Sequence, residues 1–289
     1  MTLVEQLRAH LAALAQPRNP IKYPEAHRYT QQYLSEQIRG MSRKLLRQEF
    51  PVNLDGIPAV GMNLLGEATE GSVVMVAHYD TVDDSPGADD NLSAVAVALE
   101  VGRRCPNVHL LFTDLEEAGL LGARHFVSTG KWRELPAVVL ESVGYWSKEA
   151  GSQGYPSSLP VVFPAHFQWL KEREFRGDFL ALLHLSSASS IARSLSEHLG
   201  PDQLPIEVPD LLIQREEAQE LRDFGRSDHL AFWEDGRVCL MLTDSANFRN
   251  PHYHSPGDTP DTLDLTALVK LTKSLVEWCS ALTPLSISE

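Results

Sequence analysis

Three short apolar runs, each followed by a residue with acid–base or ligand chemistry, organise the first half of the chain. Residues 72–77, 108–112 and 137–140 are nearly continuous hydrophobic stretches of strand length. That is the pattern of strands buried on both faces of a parallel sheet. After the first run, Leu92, Val95, Ala96 and Leu99 fall on one face of a predicted helix. Upstream, Leu3, Leu7, Leu11 and Leu14 have helical spacing, the segment 17–20 breaks the pattern with two prolines, and Tyr29, Tyr33 and Ile38 mark a second helix. Downstream, the pattern predicts a strand over 177–184, a helix over 187–199, a strand over 237–243 and a C-terminal helix over 263–282. Leu265, Leu268, Val269, Leu271, Leu275 and Val276 supply the apolar face of that last helix. The alternation implies a single α/β domain over 1–289, with a twisted, largely parallel sheet between helices.

One stretch departs from this rhythm. Residues 145–176 mix Gly, Pro and Ser with Tyr145, Trp146, Tyr155, Phe163, Phe167, Trp169 and Phe175. This composition suits a long ordered loop insertion that shapes a pocket. The competing reading is that the aromatic rings merely cover the scaffold.

The polar residues at the run ends carry the chemistry. His78 and Asp80 follow the first run, Glu116 and Glu117 the second, and Glu141 the third. Gly87-Ala88-Asp89-Asp90-Asn91 lies between the first and second runs, and 251–254 supplies His252 and His254. Ligands of open α/β sheets bind beyond the carboxyl ends of the strands, so these groups should converge on one edge. Imidazole and carboxylate donors suit zinc, and a catalytic zinc needs only three protein ligands beside a water. A carboxylate shared by two cations roughly 3.5–4 Å apart allows five ligands to hold both. A neighbouring acid that is not a ligand can then move the water's proton. Adjacent glutamates fit that division. In isolation, though, Glu116 and Glu117 would be an ordinary acid pair at a helix start. Asp89 or Asp90 could each be an N-cap of the following helix, and His252 and His254 share a face on an extended chain, so spacing does not choose between them. Asp83 and Asp84 read as a solvated turn, and His109, His125, His166, His184 and His198 as surface or hydrogen-bonded core residues.

In order along the chain, His78-Tyr79-Asp80, Gly87-Ala88-Asp89-Asp90-Asn91, Glu116-Glu117-Ala118-Gly119-Leu120-Leu121-Gly122, Arg226-Ser227-Asp228-His229 and Tyr253-His254 with Asp258-Thr259 resemble the co-catalytic zinc aminopeptidase family. Bacterial leucyl aminopeptidases, glutamate carboxypeptidase and glutaminyl cyclase are among its relatives. The resemblance runs from about residue 60 to the C-terminus. It implies two Zn²⁺ ions, with Co²⁺ or Mn²⁺ as possible substitutes. Asp89 would bridge them, Glu117 and His254 would complete one site, and His78 and Glu141 the other, leaving Asp90 near the helix cap. Glu141 stands where family members often have Asp. Glu116 becomes the general base and Asp80 the acceptor that orients His78. Arg226 and Tyr253 match positions that approach the scissile carbonyl in some relatives. The activity implied is an exopeptidase acting on peptides with a free amino terminus. The rivals are a glutaminyl cyclase-like acyltransferase, a carboxypeptidase or other amidohydrolase, and a non-catalytic binding protein on the same fold. Retention of both sets of ligands and of the base argues against the first and last.

Bulk properties narrow the partners. The 289 residues are 43% hydrophobic and 22% charged, which is ordinary for a globular chain. A net charge of −14, still strongly negative with two divalent cations added, argues against a nucleic-acid partner. Cys105, Cys239 and Cys279 lie far apart in sequence with no metal-type pairing, as expected of reduced thiols. The first helix is interrupted by Glu5, Arg8 and His10, unlike a signal peptide, and no run approaches the roughly 20 apolar residues of a membrane span. A cytoplasmic location without membrane attachment is expected, while oligomeric state is left open.

Overall fold

The computed structural model describes residues 1–54, 56–210 and 219–282. Among these residues eight strands form one mixed sheet in the order β1-β2-β4-β3-β5-β8-β6-β7. The expected runs become β3 (Val73–His78), β4 (Val108–Thr113) and β5 (Ala137–Glu141), and the later ones become β6 (Leu180–His184) and β8 (Cys239–Thr243). β4, β3, β5 and β8 are mutually parallel neighbours. β6 pairs antiparallel with β8 and parallel with β7 (Gln203–Glu207). At the other edge β1 (Lys44–Leu54) and β2 (Ile57–Glu67) form an antiparallel hairpin, and β2 joins β4 antiparallel. The hairpin has no apolar run because most of β1 is exposed or half-buried, so periodicity alone does not reveal it.

Strand alternation divides the core in two. Val73, Met75 and Ala77 face helices α1 (Leu3–Leu14), α2 (Pro24–Gly40), α3 (Ala94–Arg104), α7 (Ser189–Leu199) and the C-terminal helix α9 (Leu265–Ala281). Val74 and Val76 face α4 (Leu121–Ser128) and α8 (His229–Glu234) on the other side. Leu268, Leu271, Leu275 and Trp278 of α9 are buried, each aliphatic side chain contributing about 1.5–3 kcal/mol relative to exposure. Asp264 caps α9 by accepting the Thr266 and Ala267 N–H groups, and Thr2 with Glu5 forms a capping box on α1. The three cysteines are buried free thiols. Among the described residues no helix is long and apolar enough to cross a membrane.

The region 145–176 is not loop throughout, which corrects the expectation. It contains α5 (Leu159–Val162) and α6 (Pro164–Glu172), and proline sits in the first turn of each. There its missing N–H costs nothing and its fixed φ favours a helix start, so residues that read as breakers are starts.

Chain connections place the site. β3 leads to β4 on one side and β4 then leads back to β5 on the other, which opens the crevice at the carboxyl end of β3 that such sheets use for ligands.

Candidate metal centre

His78 is the last residue of β3 and Glu141 the last of β5. Glu116 and Glu117 lie in the turn after β4, and His254 follows β8. These residues meet around Asp90. Its Oδ1 lies 3.1 Å from His78 Nε2 and its Oδ2 3.0 Å from His254 Nε2. Glu141 Oε2 is 3.4 Å from His78 Nε2, and Glu117 Oε2 is 3.3 Å from His254 Nε2. Two trios, His78/Asp90/Glu141 and Asp90/Glu117/His254, each bring one donor atom per residue within 4.8 Å of the others. Asp90 belongs to both.

The sequence expectation that Asp89 occupies this shared position is therefore corrected. The Asp89 carboxylate turns to the opposite side of the loop, where Oδ1 accepts the Gly144 N–H at 2.8 Å and Oδ2 the Asn250 side-chain amide at 3.0 Å. Nor does Asp90 act near a helix cap. The segment Ala88–Ser93 is irregular, with Asp90 at φ −106°, ψ 86°, and α3 begins only at Ala94 without a side-chain cap. Non-helical backbone at Asp90 and Asn91 sends adjacent side chains to different sides. Asp258 holds the turn by accepting the Asp89 N–H at 2.9 Å and the Asp90 N–H at 3.1 Å.

Asp80 lies where it can orient the cluster. Its Oδ1 is 3.5 Å from His78 Nδ1 and accepts the Glu116 N–H at 3.1 Å, and its Oδ2 accepts the Glu117 N–H at 3.2 Å. One buried carboxylate thus links the histidine to both glutamates. Ser227 donates to Glu141 Oε2 at 2.7 Å, a constraint with no signal in residue spacing. Asp228 is buried, with one oxygen bound to Thr113 Oγ1 and the other without a partner. Burial, opposed by His78 and Thr113, pushes its pKa up to about 7. The motif containing both was recognisable in sequence, but the two side chains had no assigned task.

The electrostatics describe a centre with excess negative charge. Burial raises Glu116 well above the usual carboxyl value, His78 opposes this, and Glu117, Glu141 and Asp228 reinforce it. Burial likewise takes Glu117 to about 7, helped by Asp90. Burial works against a charged His254, yet hydrogen bonds that it donates to Asp90 and Glu117 raise it to about 10. Asp90 is held below its usual value because both histidines outweigh its burial. Within 4.0 Å, the ion-pair partners of Asp90, Glu116, Glu117 and Glu141 among the described residues are histidines only. Glu117 Oε1 is buried without a hydrogen-bond partner. A nitrogen and oxygen donor set with this charge and this open atom fits divalent cations, which would replace the protons the cluster otherwise attracts.

A cavity of about 380 Å³ opens from the cluster. Tyr253 and Arg226 both line it. The Tyr253 ring stacks on His254 with centroids 3.8 Å apart, and Arg226 donates to Asn247 Oδ1 at 2.9 Å. The cavity continues over Ala181, Leu183, Leu204, Ile206 and Met241 of the sheet, and Tyr155 and Leu159 of the 145–176 region add to its wall. His252 does not line it; its ring lies edge-on to Tyr145. His109, His166, His184 and His198 each bond a backbone group, and His125 stacks on Phe50.

Residues 60–150 match the model of Peptidase family M28. The uncharacterized protein YfbL of Escherichia coli is 27% identical across 94% of this chain and 85% of its own length. Aminopeptidase YwaD of Bacillus subtilis is 29% identical across 65% of this chain and 36% of its own length. Among solved structures, a leucine aminopeptidase precursor from Bacteroides thetaiotaomicron superposes with a TM-score of 0.68 at 15% identity, covering 97% of this chain and 96% of that one. The glutaminyl cyclase of the same organism gives 0.66 at 14%, covering 97% of each. At such identities the superpositions establish the fold.

Proposed function

We propose, from its similarity to Peptidase family M28 over residues 60–150 and to an aminopeptidase of Bacillus subtilis, that the chain is a two-zinc aminopeptidase. In this reading it removes N-terminal residues from peptides with a free amino group. His78 and Glu141 hold one ion, Glu117 and His254 the other, and Asp90 bridges them. The observation that carries the reading is the position of Asp90, whose two oxygens each reach a different histidine. A glutaminyl cyclase-like site using one metal has no need of His78 and Glu141, yet both are in place.

When bound, the ions supply Lewis acidity and an activated water. The residues of the chain do the rest. Glu116, buried beside His78, takes a proton from the water and returns it to the leaving amine. Its raised affinity for protons suits a group that must carry one between two steps. Asp80 keeps the Glu116 backbone and the His78 ring in register, and Ser227 fixes Glu141. Tyr253 and Arg226 offer hydrogen-bond donors to the developing oxyanion. The cavity receives the first side chain, and the aliphatic surface of β6, β7 and β8 favours an apolar one. Arg226 is the one lysine or arginine among the described lining residues. That argues against a carboxypeptidase, which would hold the terminal carboxylate with a cluster of cations.

The test is a panel of aminoacyl anilides and short peptides, free or acetylated at the amino terminus, assayed with defined metals. Acetylation is expected to reduce cleavage at least about tenfold, equivalent to about 1.4 kcal/mol of transition-state binding. Equal cleavage of acetylated substrates, a strict need for a free carboxyl terminus, or cyclisation of N-terminal glutamine without peptide hydrolysis would overturn the assignment.

A further inference from the structure

Arg18 lies in the connection between α1 and α2 and has no exposed surface. Among the described residues its guanidinium touches no carboxylate; it donates instead to carbonyl oxygens. Nε reaches Tyr79 O at 2.6 Å, Nη1 reaches Pro86 O at 2.6 Å and Gln16 O at 3.3 Å, and Nη2 reaches Gly87 O at 3.1 Å. The Arg18 backbone N–H donates to Thr81 Oγ1 at 2.9 Å. All of these partners except Gln16 belong to residues 79–87, the connection that joins His78 to the turn bearing Asp90. The guanidinium therefore bridges the two ends of the segment that separates two candidate ligands.

The surroundings leave little slack. Gly87 has φ +56°, and a Cβ there would lie 2.3 Å from the Asp90 carbonyl oxygen, 2.5 Å from Thr81 Cγ2 and 3.0 Å from Arg18 Nη2. The outer side of the same connection is held to the same N-terminal segment, because Lys22 bonds Asp84 at 2.7 Å and Tyr23 also donates to Asp84. Burial brings the Arg18 pKa down to about 10, and Asp80, Asp90, Asp258 and Glu117 hold it up. At neutral pH it is charged.

We infer that Arg18 is a positioning residue of the metal centre: by tying the Tyr79 carbonyl to those of Pro86 and Gly87, it sets the spacing of His78 and Asp90 and thereby the affinity for metal. The inference rests on the two-metal reading of the site. A planar fork of donors reaches several carbonyls at once, which the single ammonium of lysine does not reproduce. Groups that orient metal ligands from behind typically change affinity by about 10–100-fold when removed.

The experiment is a titration of the metal-free, full-length protein with Co²⁺, followed by visible absorption, for wild type and Arg18→Lys. The variant is expected to bind Co²⁺ at least about tenfold more weakly with displaced absorption bands. A merely structural role would lower the melting temperature but leave the affinity and bands of the folded protein unchanged, and that result would overturn the inference. Should Arg18→Lys fail to fold, Thr81→Val keeps the side-chain shape while removing the acceptor of the Arg18 N–H. Weaker Co²⁺ binding by that variant supports the inference, and wild-type binding overturns it. Absence of Co²⁺ binding by the wild-type protein removes the two-metal reading and this inference with it, whereas equal binding by wild type and variants removes the inference alone.

Discussion

Asp89 and Asp90 are neighbours in sequence, but their carboxylates serve opposite sides of one loop. Asp89 is taken by Gly144 and Asn250 at 2.8 and 3.0 Å, whereas Asp90 stands between His78 and His254 at 3.1 and 3.0 Å. The pair permits a direct comparison. Asp90→Asn should lose at least one metal and more than about a hundredfold in activity. Asp89→Asn should retain both metals while losing roughly 1–3 kcal/mol of stability, because the NH2 that replaces one oxygen faces a donor and cannot accept from it. Metal analysis and denaturant unfolding of the two variants distinguish the roles, and the opposite pattern would return the bridge to Asp89.

Glu116→Gln preserves shape and removes the titrating group. Turnover should fall by about a hundred to ten thousandfold, with both metals retained and little change in KM. Near-normal turnover in a variant holding both metals would take Glu116 out of the mechanism.

The cavity floor offers a test of side-chain preference that leaves the metal ligands untouched. Ala181 lines the floor and is nearly buried, so Ala181→Phe should fill space that a large substrate side chain would use. We expect kcat/KM for leucyl and phenylalanyl substrates to drop about tenfold or more, a loss of about 1.4 kcal/mol, while alanyl substrates change little. A uniform loss across substrates would mean that this surface does not receive the first side chain.

Stability at acid pH has a source remote from the centre. Burial alone would raise Glu100, but hydrogen bonds from His10 and Arg104, with help from Arg103, bring its pKa from 4.5 to about 2. Between those values the unfolded chain binds the proton that the folded chain refuses. The contribution is complete above about pH 4.5 and is lost as pH falls towards about 2. Melting temperature measured across this window should decline less steeply in Glu100→Gln than in wild type; identical slopes would show that Glu100 is not a source of the dependence.

The central strands were legible because each is buried on both faces and reads as an unbroken apolar run. The β1–β2 hairpin was not, since most of β1 is half-buried or exposed at the sheet edge and only the second half of β2 is buried. The helices α5 and α6 were hidden by prolines that mark helix starts as readily as breaks. His78, Glu117 and His254 were recognisable from ordered motifs and Glu141 from its place at a strand end, and the structure brings all four together. Ser227 and Asp258 stood in recognisable motifs without a role, and Arg18 escaped altogether, because a polar residue that acts through a distant partner has no local signature.

The sequence by itself therefore determined the elements whose cause is local, namely the apolar runs, the helical periodicities and the chemistry at the strand ends. Only the tertiary structure decided which of two adjacent aspartates faces the cluster. That choice depends on the backbone turn at Asp90 and on Asp258, whose carboxylate reaches back from far along the chain to hold the turn in place. Local propensity does not encode such a contact, because its geometry exists only once distant segments have packed.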